Sequence, residues 1–140
     1  MKFYAVIDTN VLVSAAMKPD SVPGQVLELV LDGVIVPVFD KTIIEEYRNV
    51  LLRPKFGFTE QLVRDILNEI LSHGVRVDAE PSDVDLPDPK DIVFYEVVME
   101  ERKEEDAYLV TGNKKHFPEK PFIVTPRKMI DIVMESFGLS

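Results

Sequence analysis

The sequence predicts an α/β fold with a largely parallel sheet, and three observations carry that prediction. Short runs that are apolar at consecutive positions, such as Phe3-Tyr4-Ala5-Val6-Ile7, lack the alternation of a strand with one wet face and suit strands covered on both sides. Helix-spaced stretches separate these runs, as the crossovers of a parallel sheet require. Two of the runs also stop abruptly in polar residues, Asp8-Thr9-Asn10 after the first and Thr111-Gly112-Asn113 after another. In open α/β sheets, sites form beyond the carboxyl ends of the strands, so the two polar clusters are expected to face one crevice.

The elements follow in order. A strand over residues 3–7 leads to a helix over 11–17. After the break from Pro19 to Gly24, residues 25–31 form an amphipathic helix closed by Asp32-Gly33. Residues 34–39 are a second buried strand. Helices over 43–52 and 59–72 are separated by the Arg53-Pro54 stop and the Gly57 region, and Gly74 ends the second. A short third strand spans 75–77. Segment 78–91 holds Asp78, Glu80, Asp83, Asp85, Asp88 and Asp91, with Pro81, Pro87 and Pro89 and only Lys90 as counter-charge, and is expected to be an exposed acidic loop. A helix over about 89–103, strands at 107–110 and 122–124, and a last helix at about 126–137 complete about five strands flanked by helices.

Length and composition narrow the function classes. A chain of 140 residues with 46% apolar content suits one domain with a substantial core, and no internal repeat divides it. With no cysteine and only His73 and His116, thiolate and histidine-built metal centres are excluded, so any metal would be bound by oxygen. The first apolar run is too short for a signal-peptide core or a membrane span, and cytoplasmic residence without membrane attachment is expected. A formal charge of -9 argues against a broad basic surface, although an acidic pocket changes its local sign when a divalent ion binds.

The candidate chemical groups are carboxylates. Asp8 ends the first strand, where it suits either a site or the cap of the helix starting near Val11. In the helix at 43–52, Ile43, Ile44, Tyr47, Val50 and Leu51 form an apolar stripe with Glu46 on its margin and Glu45 nearly opposite. Thr42 and Glu45 match a capping box, which would occupy Glu45 and leave Glu46 as the acid at the border of the core. Asp88-Pro89-Lys90-Asp91 fits a helix start with Asp88 as cap, and Asp91 is placed to point into the crevice. Glu96 is a weaker candidate, and residues 100–106 read as a solvated helix end. Lys114-Lys115-His116, with Arg48, Arg53 and Lys55, would give an acidic centre two small basic rims for phosphates, unless they are scattered surface charge. No Ser-His-Asp or Cys-His arrangement is supported, no glycine loop follows a strand, and Asn10 stands where a haloacid-dehalogenase pattern would need a second Asp. The donor set left is a carboxylate group suited to Mg²⁺ or Mn²⁺.

The stretches IDTNVLVSA, IIEEYRNVLLRPKF, LPDPKD and AYLVTGNKKHFP together resemble the PIN-domain family, in particular its VapC-like branch of toxin components of toxin-antitoxin systems. The resemblance implies a PIN-like three-layer α/β/α domain and metal-dependent cleavage of RNA. By motif position it implies metal-holding roles for Asp8, Glu46 and Asp91, with Thr9 and Thr111 ordering the acids and Asn10 supporting Asp8. Asn113 stands where the family usually has its fourth acid, so the centre would have less negative charge. Arg53, Lys55 and Lys114 are the expected nucleic-acid contacts. The expected partners are RNA and a small antitoxin protein, and a homodimer is among the assemblies the resemblance allows. A catalytically weak module that binds RNA or protein is the alternative that Asn113 and the -9 charge leave open.

Overall fold

The middle of the sheet is occupied by β1 (Phe3–Ile7), and the computed structural model, which describes residues 1–139, builds the rest outward from it. α1 (Thr9–Met17) and α2 (Val22–Leu31) lead to β2 (Ile35–Phe39), followed by α3 (Lys41–Leu51), α4 (Glu60–His73) and β3 (Val75–Arg76). After the acidic segment come α5 (Ile92–Glu101), β4 (Tyr108–Val110), β5 (Ile123–Val124) and α6 (Pro126–Ser136). Single 3₁₀ turns sit at Pro54–Phe56, Pro89–Asp91 and Lys114–His116. All strand pairs are parallel, in the order β3-β2-β1-β4-β5. The chain therefore winds first to one side of β1 and then to the other. The order reverses between β1 and β4, the point beyond whose strand ends such sheets usually form their site.

Burial explains why the strands are apolar throughout. β2 is buried at all five positions, and α5 packs across β1, β2 and β4 while α2 packs against β2, α1 and α6. Helices thus cover both faces, giving the three-layer α/β/α architecture. Pro37 lies inside β2, a position that usually excludes proline because the ladder needs its N–H. The amide of Phe3 bonds Val34 O and the amide of Val77 bonds Phe39 O, so odd-numbered residues of β2 face β3. The missing N–H of Pro37 therefore points away from β1, to the side where β3 pairs only with Val38 and Phe39.

Several boundaries differ from the expectations, each for a local reason. α1 starts at Thr9, directly after Asp8, rather than near Val11. α2 begins at Val22 because Ser21 caps it, its Oγ accepting from the Gly24 amide, and Pro23 is tolerated in a first turn where its N–H is not needed. Gly24 is required there, since a Cβ would stand 2.1 Å from Pro19 O. α3 starts at Lys41 with Asp40 as its cap, the carboxylate accepting from the Ile43 amide at 2.8 Å. The expected Thr42–Glu45 capping box is therefore not formed: Thr42 lies within the helix, and Glu45 is exposed, 3.9 Å from Lys41. The helix expected over 89–103 divides into the 3₁₀ turn and α5, with Asp88 capping the turn at the Lys90 amide, 3.0 Å away.

Segment 78–88 has no regular structure, yet it is pinned by buried Leu86 and by Val84 and Ala79 against the core. Glu96, read as a weak site candidate or solvated acid, instead accepts a hydrogen bond from the Ser82 amide and anchors this segment. The run 100–106 is not wholly solvated either. Glu101 is only 5% exposed, and burial together with Glu105, Glu104 and Glu100 pushes its carboxyl above its ordinary value. Among the described residues no helix is long and apolar enough to cross a membrane.

Candidate functional site

Asp8 is the first polar residue after β1, and its amide bonds Val110 O at 2.9 Å, which fixes the strand end beside β4. Although Asp8 occupies the cap position of α1, its side chain makes no capping hydrogen bond. It turns instead to Thr111, whose hydroxyl donates to Asp8 Oδ2 at 2.7 Å. Asp8 and Thr111 are both buried. Burial raises the Asp8 carboxyl above its ordinary value, against the opposing effects of the Thr111 bond, the Asn10 and Thr9 amides and the His116 charge. The side chain is thus held by Thr111 with no regular capping hydrogen bond, although the first amides of α1 still face it. Asn10 is exposed and supports Asp8 through its backbone amide.

Glu46 arrives from α3. Thr9, the first residue of α1, donates its hydroxyl to Glu46 Oε2, which ties the second acid to the residue following the first. The helix phase expected from the apolar stripe is the one observed: Ile43, Ile44, Tyr47 and Leu51 are buried, Glu46 is half-buried at the margin, and Glu45 is exposed. Tyr47 locks that phase by donating its hydroxyl to Ile7 O. Burial, Asp8 and Glu46 push the Tyr47 phenol far above its ordinary value, so it remains a neutral donor.

Asp91 sits where the 3₁₀ turn joins α5. Since Asp88 does the capping, the Asp91 side chain is left free of the helix and meets His116 Nδ1 at 3.2 Å. Its carboxyl is raised by burial first and then by repulsion from Asp8 and Asp88, while His116 lowers it. Asp8 is therefore close enough to disfavour the charge on Asp91. The structure brings together Asp8, Thr9, Glu46, Asp91, Thr111 and His116, from β1, α1, α3, the α5 entry and the turn after β4.

The remaining expected residues stand further out. Asn113 is exposed, and among the described residues its side chain has no hydrogen-bond partner; its amide donates to Thr111 Oγ1 at 3.0 Å. Lys114 is exposed on the following turn. Arg53 and Lys55 are exposed on the α3–α4 connector, where Lys55 Nζ lies 5.1 Å from the Phe56 ring centre and Phe56 stacks on Phe58 at 5.9 Å. Sequence reasoning placed His116 only in a basic rim. Its contact with Asp91 depends on the 3₁₀ turn, which carries no strong local signal.

Among the described residues, no three side chains of the His, Cys, Asp or Glu type form a ready-made metal cluster. The donors nevertheless fit a hydrated hard cation. Mg²⁺ is commonly held by one or two carboxylates plus waters rather than by an all-protein cage. Asp8 and Asp91 supply two such carboxylates, and the burial and repulsion that disfavour their charges would be relieved by a cation. Glu46 is tied to the site through Thr9 and, among the described residues, does not complete a three-acid cluster with them.

Residues 4–115 match the family model described as PIN domain. The chain is also similar to the uncharacterized protein MJ1680 of Methanocaldococcus jannaschii, at 30% identity over 117 residues that cover 81% of this chain and 73% of that one. No solved structure matches it significantly. PIN domains are generally nucleases that use divalent metal ions. With the parallel sheet and the acids at its carboxyl edge, the match over most of its length shows that the chain belongs to the PIN-domain family.

Proposed function

We propose that the protein is a Mg²⁺- or Mn²⁺-dependent endoribonuclease and the toxin of a toxin-antitoxin pair. The observation that carries the enzymatic reading is the Asp8–Asp91 pair: two acids at adjoining strand and helix ends, both with raised carboxyls, and neither used to cap a helix. Acids perturbed by burial and a charged neighbour mark a candidate functional site. A divalent ion bound there supplies charge for the phosphodiester oxygens and a more acidic water. Thr111 orients Asp8, and Thr9 orients Glu46 while leaving Glu46 Oε1 open to accept from a water. Lys114, Arg53 and Lys55 offer exposed cations for phosphates on an otherwise acidic chain.

The toxin role is supported by the motif resemblance, with a small antitoxin that covers or enters the acidic crevice and a homodimer as the assembly to look for. The competing reading, a catalytically weak module that binds RNA or protein, draws on the exposed, unbonded amide of Asn113. Incubation of a mixed RNA pool with Mn²⁺, Mg²⁺ or chelator separates the two. Cleavage with either ion and none in chelator is expected; cleavage that survives chelation rejects the metal mechanism, and RNA binding without cleavage favours the module. A neighbouring reading frame for a small protein that blocks cleavage is the corresponding test of the toxin role.

A further inference from the structure

The turn after β4 touches both acids, buried Asp8 and half-buried Asp91, through its ends and not through the Asn113 side chain. Thr111 donates to Asp8 Oδ2 at 2.7 Å and accepts from the Asn113 amide at 3.0 Å. Asn113 O in turn accepts from the His116 amide at 2.9 Å, which closes the 3₁₀ turn and carries the imidazole to Asp91 Oδ2. Six consecutive residues thus bridge the two carboxylates through an unbroken series of hydrogen bonds. Among the described residues, His116 is the only hydrogen-bond partner of the Asp91 side chain, although that side chain is just 16% exposed and is repelled by Asp8 and Asp88. Without His116, no described hydrogen bond would hold the Asp91 side chain.

We infer that His116 is a positioning residue for the metal centre, holding Asp91 through Nδ1 so that its other oxygen stays directed toward Asp8. The inference rests on the metal reading above. A ligand held from behind by a hydrogen bond loses less freedom on binding, and removing such a partner typically weakens metal affinity by about 10- to 100-fold. The turn's contribution to the site is then Thr111 at one end and His116 at the other, and the exposed Asn113 is a spacer between them.

Two measurements test this separately from the metal reading. Calorimetric titration of Mn²⁺ into RNA-free protein is expected to show about 10-fold weaker binding in His116→Ala, with most of the loss recovered in His116→Asn, whose amide donor takes the place of Nδ1–H. Equal or tighter binding in His116→Ala overturns the inference, as does a failure of Asn to rescue it. The imidazole ¹⁵N spectrum of the metal-free protein needs no ion at all. It is expected to show a protonated Nδ1 in the parent and a changed Nδ1 signal in Asp91→Ala, and an unchanged spectrum overturns the inference even if the parent binds no metal.

Discussion

Asp8 and Asp91 cost the metal-free fold stability because their surroundings disfavour the charged form of each. Asp8→Asn and Asp91→Asn are expected to abolish ion-dependent cleavage while leaving the thermal midpoint in chelator equal or higher, by on the order of 1 kcal/mol for the well-buried Asp8. A much lower midpoint would make the acid structural. The sign with pH follows from linkage: a carboxyl raised in the fold takes up its proton at a pH where the unfolded chain has not, so native stability rises as pH falls toward the ordinary carboxylate range. The advantage of Asp8→Asn over the parent should therefore shrink as pH falls toward the ordinary carboxylate range, read as the difference between two melting curves. Glu46→Gln should impair cleavage, because it replaces the acid that Thr9 anchors. Glu45→Gln should be nearly silent, not because of a capping box but because Glu45 is exposed beside a long ion pair worth little. Asn113→Asp adds charge at an exposed spacer where no described bond is lost, so it should leave the melting curve unchanged and shift Mg²⁺ binding in a titration far less than His116→Ala does.

The elements were legible wherever local chemistry decides them. The apolar runs became strands, and the phase of α3 followed from Ile43, Ile44, Tyr47 and Leu51, which also separated Glu46 from Glu45. Helix starts were less legible when two capping residues lay close together. At α3 the capping-box pattern at Thr42 lost to Asp40, which immediately follows β2 and reaches the Ile43 amide. Asp40→Ala should accordingly lower stability by about 1 kcal/mol and Thr42→Ala by far less, measured by denaturant unfolding; the reverse order would restore the capping box. What the sequence could not show were contacts made across the sheet end. The bond from Thr111 to Asp8 spans 103 positions and that between His116 and Asp91 spans 25, and neither leaves a periodic trace. Glu101 was misread for a related reason: its charged neighbours suggested solvent, while its place on the inner side of α5 buried it.

At the scale of the whole molecule, the site depends on the sheet order more than on any one segment. β1 is the strand between β2 and β4, and its second neighbour is encoded about a hundred residues after it. During synthesis, residues 1–76 can emerge and pair β1 with β2 and β2 with β3, while the other edge of β1 stays open. Until β4 and the turn after it emerge, Asp8 has neither Thr111 nor the Val110 carbonyl as a partner, and Asp91, once made, has no His116. A chain ending at residue 106 is therefore expected to bind no Mn²⁺ in calorimetry and to lack a cooperative melting transition. A nuclease made beside the RNA that encodes it thus completes its acid pocket late: the growing chain on the ribosome carries every acid of the site before it carries the turn that joins them.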